Sequence, residues 1–440
     1  MLLNKSKWLA LLGGAFLLAG SALAQDSGPL IDLLVKKGIV NDQEAEELRA
    51  DLVKDFASNS SAGKLNLSSS LTEFRISGDV RVRYELRSGQ DNATGDNIDR
   101  GRWRYRLRPL FTGNLGSQWF YGFRFENSNG SRSSNVTMGG DGGPWGKSDD
   151  GLYVGQVYVG FRPNSDWTLY AGRMPNPFVT TSLVWDGDIN PEGFAEKFTH
   201  EAGKVTYFAN LGQFLYDSAN PQNGLSPATN RQDQYMLGWQ GGVKVKIDEK
   251  NSFQIAPTLY HYVNNEPTSK NFAGAFTASN ATAINNLTVV DVPVEFNTVL
   301  PNGAAGRIFG DLAYNIDGED RAAKYGRADL DSEVWAWQLG AQYGKAKLKG
   351  EWDAKVFYQQ TDLFSLDANL VDSDLFDSRV NTEGFVAGVN YQLSDAVTFT
   401  VTYANGKTKN KSAISPGAGD IGISTLKGFS LLQLDIVAKF

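Results

Sequence analysis

Residues 100–108 read RGRWRYRLR, with Arg100, Arg102, Arg104, Arg106 and Arg108 at every second position and Trp103, Tyr105 and Leu107 between them. Just upstream, RISGDVRVRYELR puts Arg75, Asp79, Arg81, Arg83, Glu85 and Arg87 on one parity and Ile76, Val80, Val82, Tyr84 and Leu86 on the other. Guanidinium rows do not make or break bonds. On a wetted wall they attract and orient charged or polar solutes. A second set of charges, Asp186, Asp188 and Glu192, sits in WDGDINPEG, and Lys347 and Lys349 continue a basic parity in KAKLKGEWDAKVFYQQ. Acids facing bases across a narrow aqueous passage would set up a transverse field favouring polar solutes over apolar ones. The competing reading is that these acids and arginines simply pair with one another.

Bond-breaking chemistry has little to work with. There are two histidines, His200 and His261, and no cysteine. Neither histidine has a metal-binding partner at i+4, and no P-loop, G-x-S-x-G elbow or His-Glu-x-x-His motif occurs. A barrel enzyme pairing Ser with His would have to use His261, for which a rim position is the ordinary explanation. The Asp-rich stretch at 362–377, DLFSLDANLVDSDLFD, lacks ordered calcium-loop spacing and reads as a solvated loop. No catalytic residue, metal or cofactor is expected. A net charge of −7 argues against nucleic acid as a partner.

Such rows need a scaffold that sends alternate residues to opposite environments, which is a β-strand. Period two dominates from residue 72 onward in runs of roughly 11 to 15 residues, long against the mode of about 5–6 for globular strands and long enough to cross a bilayer. Short connections (114–117, 163–166, 248–251, 393–396) alternate with long polar ones (88–99, 128–150, 217–232, 264–287, 317–331, 362–379, 407–424). Short turns at one end and long loops at the other describe an up-and-down meander of about sixteen strands. Tyr84, Trp103, Trp119, Tyr121, Trp337, Tyr358 and Tyr391 share the apolar face, as an interfacial girdle would require. An arginine on a lipid face costs about 2–4 kcal/mol near the midplane, so a one-residue slip of the ladder would cost on the order of 10 kcal/mol. In a soluble sandwich the other face would be an apolar core. The expected fold is therefore an all-β transmembrane antiparallel barrel over 72–440 with Arg81, Arg83, Arg102, Arg104, Arg106, Lys347 and Lys349 lining a hydrated pore.

The ends add a route. Residues 1–24 combine Lys5 and Lys7, an apolar core from Trp8 to Ala19 and an Ala22-Leu23-Ala24 cleavage site: a secretory leader. Residues 25–57 read as a short periplasmic helical segment, with Asn41 or Asp42 capping its second helix and Glu44 to Glu47 in the first turn. A plug or self-association element is one role for it, peptidoglycan contact another. Residues 58–71, SNSSAGKLNLSSSL, form a flexible linker. The alternating terminal strand ending in Phe440 resembles the assembly signal of outer-membrane barrels.

Residues 171–194, AGRMPNPFVTTSLVWDGDINPEGF, break the alternation with Pro175, Pro177 and Pro191, which cannot donate to a ladder. The stretches Gly172 to Phe178 and Trp185 to Gly193, together with Leu33 to Gly38 and Phe440, resemble the “putative porin” family of Gram-negative outer membranes and, more distantly, phosphate-selective porins. That resemblance implies a homotrimer in the outer membrane, in contact with its lipid, passing small polar solutes and ions by diffusion. It also implies an external loop near 174–194 that folds into the barrel and presents Asp186, Asp188 and Glu192 to the arginines. A substrate-selective channel for anions, phosphate or sugars is the nearest alternative; an outer-membrane barrel enzyme or a secreted β-rich adhesin are alternatives of another class.

Overall fold

The computed structural model describes residues 31, 34–37, 40–59, 67–130, 132–140, 145–146, 151–218, 233–263, 284–417, 419–423 and 425–440. The expected leader lies outside them. The chain divides into two units, Met1–Ser68 and Ser69–Phe440. The first contains helix α1 (Asp42–Asn59). Asn41 and Glu44 open it as a reciprocal capping box: the Glu44 amide donates to Asn41 Oδ1 (2.9 Å) and the Asn41 amide to Glu44 Oε2 (3.0 Å).

The second unit is one closed sheet of sixteen antiparallel strands. In chain order they are β1 (Leu71–Asp91), β2 (Asn97–Leu115), β3 (Trp119–Glu126), β4 (Tyr153–Phe161), β5 (Trp167–Arg173) and β6 (Glu192–Ala202). Next come β7 (Val205–Asp217), β8 (Gln234–Lys246), β9 (Ser252–Ile255 and Thr258–Val263) and β10 (Thr288–Asp291 and Val294–Val299). The circuit ends with β11 (Ala305–Asn315), β12 (Trp335–Gly344), β13 (Trp352–Thr361), β14 (Thr382–Ser394), β15 (Val397–Thr408) and β16 (Leu426–Lys439). Pro257 and Pro293 explain the breaks in β9 and β10, because neither can donate to a ladder. The circuit continues across the breaks through the Ala256 amide to the Pro293 carbonyl (3.1 Å) and Val292 to Leu312 (2.9 Å). β1 pairs with β16 from Asp79↔Lys439 to Asp91↔Leu426, so no edge is left open. The Phe440 backbone exchanges hydrogen bonds with Gly78 beside that seam.

The pleat sorts residues as the alternation predicts. Trp103, Val157, Ile308, Leu339, Val356 and Ile436 are exposed on the outer face, while Arg83, Glu85, Arg102, Arg104 and Gln433 are buried within. Two connections depart from the sequence reading. Residues 88–99 are paired up to Gln90↔Asn97 and form a tall hairpin closed at 92–96. Lys347 and Lys349, expected on the pore wall, lie exposed in the turn between β12 and β13. Gly344 (φ 84°) and Gly350 (φ 85°) end the strands there, and Glu351 gathers the Lys347 and Leu348 amides (both 2.9 Å).

Candidate functional site

β1, β2 and β16 carry the arginine wall. Register places Arg81 opposite Arg106, Arg83 opposite Arg104 and Glu85 opposite Arg102, all pointing inward. Like charges at this spacing need counter-charges, and acids on the same parity supply them. Asp435 grips Arg83 in a two-pronged pair (2.6 and 2.9 Å). Glu85 accepts from Arg87 (2.9 Å) and Arg102 (2.8 Å). Asp79 bridges Arg106 (2.7 Å) and Arg108 (2.8 Å). Asp420, from the β15–β16 loop, closes on Arg102. Two arginines stay short of counter-charge. Among the described residues Arg81 has no carboxylate within ion-pair distance and donates to the Asn135 side chain (3.1 Å). Arg104 only grazes Glu85 at 3.8 Å, and its Nε is buried without a partner.

Among the described residues, loops 174–191 and 362–381 both fold into the barrel. The first, 174–191, leaves β5 and enters β6 through Gly172 (φ 124°) and Gly193 (φ 146°), which face each other across the ladder. A Cβ on either would lie 2.3 or 2.1 Å from a carbonyl oxygen of the neighbouring strand, so only glycine can make these bends. Its apolar residues Met174, Phe178, Leu183 and Trp185 pack on Phe214, Met236 and Tyr260 of the wall opposite the arginines. Its acidic tip reaches the arginines: Asp188 pairs with Arg108 (2.7 Å) and Arg106 (3.6 Å).

The second loop, 362–381, is buried along most of its length. This is the Asp-rich stretch that composition marks as solvated. Leu366, Leu370 and Val371 join the apolar packing of the first loop, while Asp374 inserts among Arg83 (2.7 Å) and Arg87 (3.3 Å). Phe376, Asp377 and Ser378 all adopt left-handed backbone (φ 48–58°). Asp377 holds that strained turn by accepting the Asp420 (2.7 Å) and Ile421 (3.1 Å) amides and the Arg379 guanidinium (3.0 Å). The two loops are latched: the Asp186 amide donates to the Leu370 carbonyl (2.7 Å) and the Ser373 amide to Asp186 Oδ2 (2.7 Å).

Electrostatics differ from one loop carboxylate to the next. Burial opposes the charge on Asp374, but Arg83, Arg87 and Arg81 outweigh it and hold its carboxyl far below the usual range. Burial raises Asp186 to about 6, with Asp188 adding to the rise. Burial, Asp186 and Asp374 together lift Asp372 to about 8.

The sequence-predicted residues thus separate. Arg81, Arg83, Arg102, Arg104, Arg106 and Asp188 come together. Asp186 faces the second loop rather than the arginines, and Glu192 pairs with Arg173 (2.9 Å) at the exposed start of β6, because its register places it on the outer face. Nor is the interior one open lumen: apolar loop packing fills the side opposite the arginines. Strand parity could have flagged Asp79, Glu85, Arg87, Arg108 and Asp435. Nothing in the sequence pattern distinguishes Asp374. At the short-turn end a cavity of about 400 Å³ opens, lined among others by Asp79, Arg106, Arg108, Asp353, Asn390 and Thr400. It ends against the arginines that hold Asp188.

Residues 90–301 match the family described as “Putative porin”. No curated protein matches the chain. Among solved structures, the anion-selective porin from Comamonas acidovorans aligns at 13% identity over 84% of this chain and 99% of that one, with a TM-score of 0.45. A mutant of the Rhodopseudomonas blastica porin aligns at 10% identity over 84% and 100%, with a TM-score of 0.41.

Proposed function

We propose that this chain, which carries the porin family match over residues 90–301, is a non-enzymatic outer-membrane channel for passive diffusion of small hydrophilic solutes and ions. The observation that carries the reading is the sorting of one closed barrel into an apolar outside and an inward-facing arginine wall. Solute entering the vestibule would meet Arg106 and Arg108, then pass along the Arg81–Arg104 side where the two loops narrow the barrel. Purified protein in liposomes should admit small neutral sugars at rates that fall steeply with sugar size. Liposomes no more permeable than empty ones would end this reading.

An anion preference is favoured by one specific feature. Arg81, with no carboxylate at ion-pair distance among the described residues, and Arg104, held only loosely by Glu85 at 3.8 Å and with an unpartnered Nε, leave positive potential on the narrow side.

We assign the chain to a homotrimer, with lipid around the remaining wall. β3, β4 and β5 have 8, 9 and 7 residues, at or below the roughly 9–11 a spanning strand needs. The outer face there stacks Phe111 on Phe123 (4.8 Å) and Phe123 against Phe125 (5.7 Å). A low, aromatic wall suits another protomer better than a full bilayer. The leader directs export, and α1 belongs to a periplasmic segment whose contact with peptidoglycan a pull-down on isolated sacculi would test.

A further inference from the structure

On the side of the barrel away from the arginines, two carboxylates are buried with no cationic side chain at ion-pair distance among the described residues. Asp291 on β10 is 0% exposed and Asp311 on β11 is 4% exposed. Asp291 lies opposite Ala313, which puts its side chain on the same face as Asp311 and diagonal to it, so the two carboxyl groups are neighbours. Both oxygens of Asp291 and Oδ1 of Asp311 have no hydrogen-bond donor. So does the side-chain oxygen of Gln338, which is 4% exposed and sits directly opposite Asp311 on β12. Thr181, from the first inward loop, donates its hydroxyl to Asp311 Oδ2.

We propose that Asp291, Asp311, Gln338 and Thr181 form a binding site for a hard divalent cation of the calcium class, which ties the 174–191 loop to the barrel wall. A buried carboxylate pair is strongly unfavourable unless its charge is met. One shared proton would serve a single oxygen–oxygen contact and leave the other acceptors, including the Gln338 oxygen, unmet. A cation meets them together. The donors are all oxygen, which excludes any preference for the softer thiophilic metals. Two carboxylates with neutral oxygens suit calcium, which takes about six to eight such ligands in flexible geometry, better than magnesium, which demands a near-regular octahedron. Thr181 joins the ion to the loop through its own oxygen, so the site is structural rather than part of the solute path.

Terbium is the probe, because Tyr260, whose ring is buried beside both aspartates, and Trp185, 6.4 Å from that ring, can sensitise it. Full-length protein refolded in detergent should bind one equivalent of terbium with sensitised emission, and calcium should displace it. Asp291→Asn with Asp311→Asn should weaken that signal at least tenfold, and Gln338→Leu should weaken it severalfold while circular dichroism shows an intact barrel. If the double variant does not fold, Gln338→Leu carries the comparison. Absence of sensitised binding by the wild type overturns the proposal, as does emission that survives in folded variants. Unfolding that responds to pH but not to calcium or chelator also overturns it and identifies a shared proton instead.

Discussion

Arg83 and Arg87 share Asp374, a side chain brought in by a loop from the far side of the barrel. Removing that carboxylate leaves Arg87 with Glu85 and Arg83 with Asp435. Asp374→Asn should therefore destabilise the protein by roughly 1–3 kcal/mol, less than full disruption of a buried pair because both arginines keep a partner and Asp374 is partly exposed. A denaturant midpoint measured in detergent checks this. The loop carboxylates also set a pH dependence. Asp372 rises from its ordinary 3.8 to about 8 on folding, and Asp186 to about 6. Their folded forms bind protons more tightly than the unfolded chain does, so this contribution is complete below about pH 4 and is lost as pH climbs toward 8. Asp374 is shifted the other way and weakens the fold only under strong acid. The unfolding midpoint should fall between pH 5 and pH 9, and Asp372→Asn should remove most of that fall. An unchanged slope in the variant would relocate the titration.

The strands were legible because one rule, alternate residues to alternate media, operates along their length. It identified the faces of β1, β2 and β16, the short turns and the terminal seam. It failed where the chain leaves the wall. Loop 174–191 announces itself through Pro175, Pro177 and Pro191. Loop 362–381 looks like solvated chain, since Asp374 is neutralised by Arg83 and Arg87, nearly three hundred residues away in sequence, and local composition cannot register such partners. Lys347 and Lys349 kept the parity of a strand beyond its true end, because glycines at 344 and 350 ended the ladder first. The bends at Gly172 and Gly193 make a direct test of the first loop. Gly193→Ala would press its Cβ to 2.1 Å from the Gln213 carbonyl, and we expect a loss of roughly 1–3 kcal/mol together with altered conductance as the loop is displaced. Shortening 363–380 to a Gly-Ser turn should enlarge single-channel conductance by freeing the ladder.

The barrel unit, Ser69–Phe440, has an apolar outside and an inside split between an apolar loop packing and a charged wall. The proposed trimer would seat a neighbouring protomer on the low wall at β3–β5. Crosslinks through cysteines introduced at Phe123 or Val157 should join protomers, whereas cysteines at Leu339 on β12 should not. What distinguishes a conducting barrel from a merely plugged one is whether ions travel beside Arg81 and Arg104, the two wall arginines with the weakest carboxylate contacts. Planar-bilayer reversal potentials in a KCl gradient, for the wild type and for Arg81→Ala with Arg104→Ala, address this directly. The wild type should show discrete conductance steps with chloride preferred over potassium, and the double variant should lose most of that preference while still conducting. A wild type that never conducts, or a variant whose reversal potential does not move, would contradict an ion path along the arginine wall.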